Sequence, residues 1–166
     1  MILTLLQRAL WLAALVVAQM MVFNHIHFMG YATPLPFVYL VMLFPMGANR
    51  SAVMLWGFTC GLLTDIVSLT PGIGAAAMTL AACIQPPLAT LMAPKDAVED
   101  LQPSMRTLGF WPYFRYALII TGVFTIAYFA LTAFNFFHLR DLAIATAASW
   151  ALTLAICLLM EALRSR

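Results

Sequence analysis

Most of this chain consists of long stretches without a charged residue. Stretches free of Asp, Glu, Lys and Arg cover residues 9–49, 51–64, 66–94, 116–139 and 142–160. A helix that crosses the hydrocarbon core of a bilayer needs about 20 apolar residues. The first stretch is long enough for two such helices, and the second and third are separated only by Asp65. The pattern predicts six membrane-spanning helices.

The composition indicates the same class of protein. Of the 166 residues, 64% are apolar and 8% are charged, and the mean hydropathy is +0.98. Soluble domains carry about 25% charged residues. Six helices of about 20 residues would use roughly 120 residues, which leaves too little for a soluble domain. The sequence therefore predicts a single all-α integral membrane domain over residues 1–166, a bundle of six transmembrane helices.

The predicted spans follow the apolar stretches and the prolines. We predict a linker at 94–112 and spans near 4–24, 34–49, 51–69, 72–93, 113–135 and 141–163. The second span begins at Pro34 and Pro36, which suit a helix start. Its roughly 15 residues cover only about 22 Å, short of a core of about 30 Å. We expect this segment to be tucked inside the bundle or preceded by an extended stretch.

The distribution of basic residues predicts the orientation of the chain. Only Arg140 falls on one side of the predicted bundle. The other side holds Arg8, Arg50, Lys95, Arg106, Arg115, Arg164 and Arg166. The positive-inside rule places this second side, with both termini and the linker, in the cytoplasm. Aromatic residues of "GFWPYFRY" (109–116) would then form a belt at the inner interface, and those of "FNFFH" (134–138) one at the outer interface.

Small residues and an acid share one face of the third predicted span. Gly57, Gly61 and Asp65 are spaced by four residues, so they align on one side of a helix. A pair of glycines at this spacing lets another helix approach closely in lipid. The next span begins with "PGIGAAA" (71–77), whose small side chains suit such an approach. We expect the contact to lie within this chain rather than with a partner.

Two interpretations of Asp65 are open at this point. The carboxylate is either a functional group that faces the bundle, as in a gate, a proton-coupling site or a partner contact, or a cap for the next helix. As a cap it would accept backbone N–H bonds near the start of the span at 72–93. The capping interpretation is favoured. No second acid is predicted at the same depth, so paired-carboxylate catalysis has no support.

Two glutamines are candidates for a polar cluster inside the bundle. Gln19 is predicted at a depth similar to that of Asp65 and is a plausible hydrogen-bond partner for it. Gln85 precedes Pro86 and Pro87, which remove two helical hydrogen bonds. Such a break is typical of a kinked structural helix or of a transporter binding site, and the structural kink is favoured.

The chain has no pattern typical of a catalytic or metal site. His25 and His27 lack a nearby acid or cysteine and indicate a polar interfacial turn. Cys60, Cys83 and Cys157 lie in apolar runs at unrelated spacings and are expected to be inert buried thiols. No Ser/His/Asp arrangement, phosphate-binding glycine loop or H-E-x-x-H motif occurs. We therefore expect a non-enzyme without cofactor or metal, and without a nucleic-acid partner, because the basic residues lie between spans.

One stretch carries a family resemblance. "LFPMGANRSAVMLWGFTCGLLTDIVSLTPGIGAAA" (43–77) resembles the rod shape-determining protein MreD family. It has a proline-terminated helix, then G-F-x-x-G-L-x-x-D, then a turn and a glycine before small residues. The stretch "TPLPF" (33–37) departs from the Pro-Asp that often opens the second helix in the family. The matching positions are Gly57, Phe58, Gly61, Leu62, Asp65 and Gly74.

The resemblance implies a non-enzymatic scaffold of the bacterial cell-elongation machinery in the cytoplasmic (inner) membrane. Members of the family bind the single-span partner MreC and, through it, the MreB filament and the enzymes that polymerise and cross-link peptidoglycan. The matching residues would form a helix-packing or partner face within the lipid bilayer.

Two other classes of protein fit parts of the pattern. A substrate-binding membrane subunit of a vitamin-type uptake transporter is similar in size, and it predicts a cavity at the outer face near Gln19, Asp65 and the loop 24–33. A membrane enzyme that acts on a lipid would need paired acids or a nucleophile at the interface, and the sequence offers neither.

Overall fold

Helices make up most of the chain that the structure, a computed structural model, describes. The described residues are 10–17, 34–70, 72–93, 101–132 and 139–164, and side chains of the last range are described from residue 143. No strand occurs in these ranges. The elements are α1 (10–17), a 3-10 turn (Pro36–Val38), α2 (Tyr39–Met42), α3 (Arg50–Ser68), α4 (Ile73–Met92), α5 (Met105–Leu108), α6 (Phe110–Thr132) and α7 (Leu139–Arg164).

Four helices are long and apolar enough to cross a membrane, and they define a helical membrane protein. They are α3, α4, α6 and the Ala143–Arg164 part of α7. Each corresponds to one of the last four predicted spans. Their limits follow local signals: the Asn49 side chain accepts a hydrogen bond from the Ser51 N–H at 3.1 Å, which caps the start of α3.

The linker predicted at 94–112 is partly helical. Residues 94–100 lie outside the described residues. Ser104 and Thr107 form a capping box that begins the short helix α5. Gly109, with φ +87°, separates α5 from α6, which begins at Phe110 instead of 113. Pro112 is compatible with this earlier start because the first turn of a helix needs no N–H donor.

The helix predicted over 34–49 is wrong. The structure has only the 3-10 turn and the single turn α2, followed by non-helical backbone over 43–49. Pro45 explains the early end of α2, because it lacks an N–H donor and its ring would clash with the carbonyl of Val41 in a continued helix. The first predicted span, 4–24, is described only over 10–17, which is helical.

The segment that replaces this helix lies inside the bundle. Residues 34–44 are all buried. The Leu35 N–H donates to the Thr153 hydroxyl of α7 at 3.1 Å, and the Met46 N–H donates to the Leu101 carbonyl at 3.1 Å. Short irregular backbone of this kind is tolerated at membrane depth where protein covers it. The expectation that this segment is tucked inside the bundle is therefore confirmed.

The spanning helices pack in sequence order with alternating direction. α3 and α4 form a hairpin, α4 packs on α6, and α6 packs on α7. Gly122 of α6 makes room for Trp150 of α7, whose indole N–H donates to the Thr121 hydroxyl at 3.2 Å. This arrangement gathers the start of α3, the start of α6 and the end of α7 at one end of the bundle. We call it the basic end because it carries Arg50, Arg115 and Arg164, and the other the opposite end.

Candidate functional site

The glycines of α3 bring its backbone against α4. A Cβ placed on Gly61 would lie 2.6 Å from the Ala75 Cα and 2.6 Å from the Gly74 carbonyl oxygen. A Cβ placed on Gly57 would lie 2.9 Å from the Ala82 Cβ. At Gly61 the obstructing atoms are backbone, so no side-chain adjustment would make room. The close approach predicted from the glycine spacing is therefore a contact within this chain.

Asp65 joins the two helices of the hairpin. Its Oδ1 accepts from the Gly74 N–H at 2.8 Å, and its Oδ2 accepts from the Ala75 N–H at 2.9 Å. These N–H groups lie in the first turn of α4, where no intrahelical carbonyl is available. Gly72, the N-cap residue, has no side chain to accept them. The buried Asp65 carboxylate supplies the cap instead and complements the positive end of the helix dipole, which confirms the capping interpretation.

The loop between α3 and α4 is shaped around this carboxylate. The Thr70 hydroxyl donates to Asp65 Oδ1 at 3.2 Å, and the Thr70 N–H donates to the Asp65 carbonyl at 3.1 Å. Leu69 ends α3 in the left-handed region, with φ 55°. A Cβ on Gly74 would lie 2.5 Å from Asp65 Oδ1, so a glycine there admits the carboxylate. Gly61, Asp65 and Gly74 therefore act together.

The two large residues of the same motif point away from this contact. Phe58 is 45% exposed and Leu62 is 41% exposed. They belong to an apolar stripe along the outer side of α3, which we call the outer stripe: Leu55, Phe58, Leu62, Ile66 and Leu69. The motif thus has an inner side that closes the hairpin and an outer side that faces the surroundings of the bundle.

A groove lies beside the outer stripe at the opposite end. Its volume is about 430 Å³, and it is lined by Leu62, Asp65, Ile66, Leu69 and Gly72. The lining is mostly apolar. The one charged group, the Asp65 carboxylate, already accepts hydrogen bonds from the start of α4.

A second group of polar side chains is buried at the basic end. We call it the basic-end cluster, and none of its members is more than 1% exposed: Tyr39, Gln85, Tyr113, Tyr116 and Glu161. The Tyr39 hydroxyl donates to Glu161 Oε2 at 2.7 Å. Gln85 Nε2 donates to the Phe44 carbonyl and to the Tyr116 hydroxyl, both at 3.1 Å. The cluster thus joins the 34–46 segment to α4, α6 and α7.

One basic side chain connects this cluster to the surface. Arg164 Nη1 lies 3.5 Å from Glu161 Oε2, and the Arg164 side chain is 29% exposed. Arg164 also donates to Gln102 Oε1 of the segment before α5. A buried carboxylate needs such compensation, because an isolated charge in an apolar interior is strongly unfavourable.

The polar cluster of Gln19 and Gln85 stays a prediction, as does the hydrogen bond between Gln19 and Asp65, because Gln19 lies outside the described residues. Gln85 lies in the basic-end cluster, whereas Asp65 lies at the opposite end. α4 runs unbroken through Pro86 and Pro87 to Met92. Gln85 therefore sits in a continuous helix and joins α4 to its neighbours.

Sequence reasoning missed most of the basic-end cluster. The sequence predicts Tyr113 and Tyr116 in an interfacial aromatic belt, but both are buried, and of that stretch Phe110 and Trp111 are the large exposed aromatic residues. The spacing of Tyr113 and Tyr116 by three residues places them on one helix face, which was an available signal. Glu161, near the end of an otherwise apolar helix, was another such signal.

The remaining candidate ligands form no site in the described part of the chain. No group of three or more His, Cys, Asp or Glu side chains there could hold a metal ion. Cys60 and Cys157 are buried and Cys83 is half-buried, and all three are free thiols. His25 and His27 lie outside the described residues.

The chain matches no family model, no curated protein and no solved structure. The fold therefore defines the class of protein directly. It is a helical membrane protein whose described ranges include four candidate spans.

Proposed function

We propose that this protein is a non-enzymatic adaptor of the bacterial cell-elongation machinery, similar to the MreD family. It lies in the cytoplasmic membrane, crosses it an even number of times so that both termini are in the cytoplasm, and binds an MreC-like single-span partner. Through that partner it acts with an MreB-like filament and with the peptidoglycan polymerase and transpeptidase, and so maintains cell shape.

The observation that carries this proposal is that the α3 residues matching the MreD family lie on two different sides of that helix. Gly61, Asp65 and Gly74 close the α3–α4 hairpin. Phe58 and Leu62 have no part in that closure and remain exposed on the outer stripe. Association of helices in lipid depends on van der Waals packing over a firm surface. Because the contacts of Gly61, Asp65 and Gly74 fix α3 against α4, the outer stripe is a firm surface on which the transmembrane helix of the partner can pack.

The test is capture of the MreC-like protein of the same bacterium by the tagged full-length protein from detergent-solubilised membranes. We expect the Phe58→Ala/Leu62→Ala double variant to reduce capture at least about tenfold, a loss of about 1.4 kcal/mol in binding free energy. The matched control is Leu80→Ala/Ile126→Ala, which removes exposed apolar side chains from α4 and α6. Equal capture by all variants would exclude the outer stripe, and no capture by the unmodified protein would contradict the adaptor function.

The predicted topology has its own test. A reporter fused to the carboxyl end should be active in the cytoplasm, as an even number of spans and the positive-inside rule require. Activity only on the outer side would contradict this topology.

A second candidate function is substrate binding for a vitamin-type uptake transporter, and the groove beside Asp65 favours it. Against it, the carboxylate oxygens already accept two backbone N–H bonds, and the rest of the lining is mostly apolar. A polar vitamin would find few partners there. Saturable vitamin binding to the purified protein, lost in Leu62→Trp, would favour this candidate over the adaptor.

A further inference from the structure

Three buried oxygens in the basic-end cluster have no hydrogen-bond partner in the part of the protein that the structure describes. They are Gln85 Oε1, the Tyr113 hydroxyl and Glu161 Oε1. A buried polar group without a partner costs about 1–3 kcal/mol. Most buried polar groups in proteins are paired with protein atoms or with ordered water. Three such oxygens in one cluster therefore indicate that a polar molecule binds there.

The three oxygens belong to one neighbourhood. Gln85 is hydrogen-bonded to Tyr116, whose ring centroid lies 6.0 Å from that of Tyr113. Tyr113 lies within electrostatic range of Glu161 and Tyr39, which are hydrogen-bonded to each other.

The orientation of the Gln85 amide is determined by its neighbours. Its Nε2 donates to the Phe44 carbonyl, which can only accept a hydrogen bond. Reversing the amide would place two acceptors against each other. The Gln85 oxygen therefore points away from Phe44 and remains an acceptor in need of a donor.

The unpaired groups are complementary to water. Gln85 Oε1 and Glu161 Oε1 can only accept, and the Tyr113 hydroxyl can donate. A water molecule has two hydrogens to donate and an oxygen that accepts, and buried waters make about three hydrogen bonds. We infer that the basic-end cluster is an internal water-binding site, in which ordered water donates to Gln85 Oε1 and Glu161 Oε1 and accepts from the Tyr113 hydroxyl.

Two further observations favour water over a metal cation. Arg164 already compensates the charge of Glu161, so a second cation would be repelled at short range. The non-helical backbone at 43–49 lies beside the cluster, and such backbone is found at membrane depth where it is covered by protein or faces water.

The first test compares two single-hydroxyl deletions by thermal unfolding of the full-length protein in detergent. Tyr116→Phe removes a hydroxyl that is paired within the protein and is the reference. We expect Tyr113→Phe to lower Tm by a similar amount, about 2–4 °C, because its hydroxyl is paired with water. An unchanged or raised Tm for Tyr113→Phe would overturn the inference, because removing a truly unpaired hydroxyl relieves an unfavourable burial.

The second test distinguishes water from other occupants. Replacing sodium with choline at constant ionic strength should leave Tm unchanged, whereas a rise with sodium that is lost in Glu161→Gln would assign the site to a cation. In a high-resolution map, isolated density that bridges the three oxygens supports water. Density continuous with a side chain of this protein would overturn it.

Discussion

The two ends of the bundle bury polar groups in different ways. At the opposite end, Asp65 accepts backbone N–H bonds from residues nine and ten positions further along the chain. At the basic end, Tyr39 and Glu161 are separated by 122 positions. The first arrangement needs only one hairpin, and the second exists only when the 34–46 segment, α4, α6 and α7 are packed together.

This difference has an energetic consequence. At Gly61 the contact is between backbone atoms of α3 and α4, so no side-chain movement can accommodate a larger residue there. The basic-end cluster is formed by side chains, several of which can shift, so the loss of one hydrogen bond there should cost less stability than a steric clash in the hairpin. We therefore expect substitutions at the opposite end to have the larger effects.

The largest effect is expected for Gly61→Leu. The new side chain would meet the backbone of Gly74 and Ala75, so α3 and α4 must separate, and we expect a loss of about 3 kcal/mol, the upper end of the usual cost of overpacking. The measurement is the fraction of protein that elutes as one monodisperse species from size-exclusion chromatography. Ala76→Leu, on the exposed face of α4, is the control and should elute normally. Normal behaviour of Gly61→Leu would show that the hairpin is not closely packed.

Removal of the cap should have the next largest effect. Asp65→Ala leaves two buried N–H groups of α4 unpaired, and we expect it to destabilise the protein by about 2–3 kcal/mol. Asp65→Asn keeps one acceptor oxygen and should cost about half as much. Thermal or denaturant unfolding in detergent measures both. If Asp65→Ala and Asp65→Asn were as stable as the unmodified protein, the cap would not stabilise the fold, and Asp65 would have a functional role instead.

A smaller loss is expected from Tyr39→Phe at the basic end. It deletes the hydroxyl that donates to Glu161, and hydrogen bonds inside membrane proteins are worth about 0.6–1.7 kcal/mol. The same substitution in a Glu161→Ala background should cost almost nothing, because the two groups act as a pair. Additive losses in the double-mutant cycle would mean that the two residues stabilise the bundle independently.

The smallest effect is a gain, expected for Leu69→Gly. Leu69 has a left-handed backbone that costs a non-glycine residue about 1–2 kcal/mol. The greater freedom of glycine in the unfolded chain offsets part of this, so the net gain should be about 0.5–1 kcal/mol. Leu69→Ala keeps the unfavourable φ and is the control, which should show no gain. A loss in Leu69→Gly would show that the exposed leucine side chain itself contributes to stability.

Linear patterns in the sequence were enough to predict the class of protein, the last four spans and the α3–α4 hairpin. Apolar length, capping residues and glycine spacing are properties of one continuous stretch of chain, so a linear pattern records them. The cap by Asp65 was predictable because its partners, Gly74 and Ala75, lie only nine and ten positions further along the chain.

The path of residues 34–49 and the membership of the basic-end cluster depend on how the helices pack in three dimensions. Pro34 and Pro36 are compatible with the start of a long helix, and the burial of this segment depends on contacts with α7 that lie 118 and 122 positions away. Tyr113 and Tyr116 have the composition of an interfacial belt, yet they face the interior because Gln85 and Glu161 meet them there. The physical reason is that periodicity shows which side chains share a helix face, whereas the neighbour of that face is set by how the helices pack.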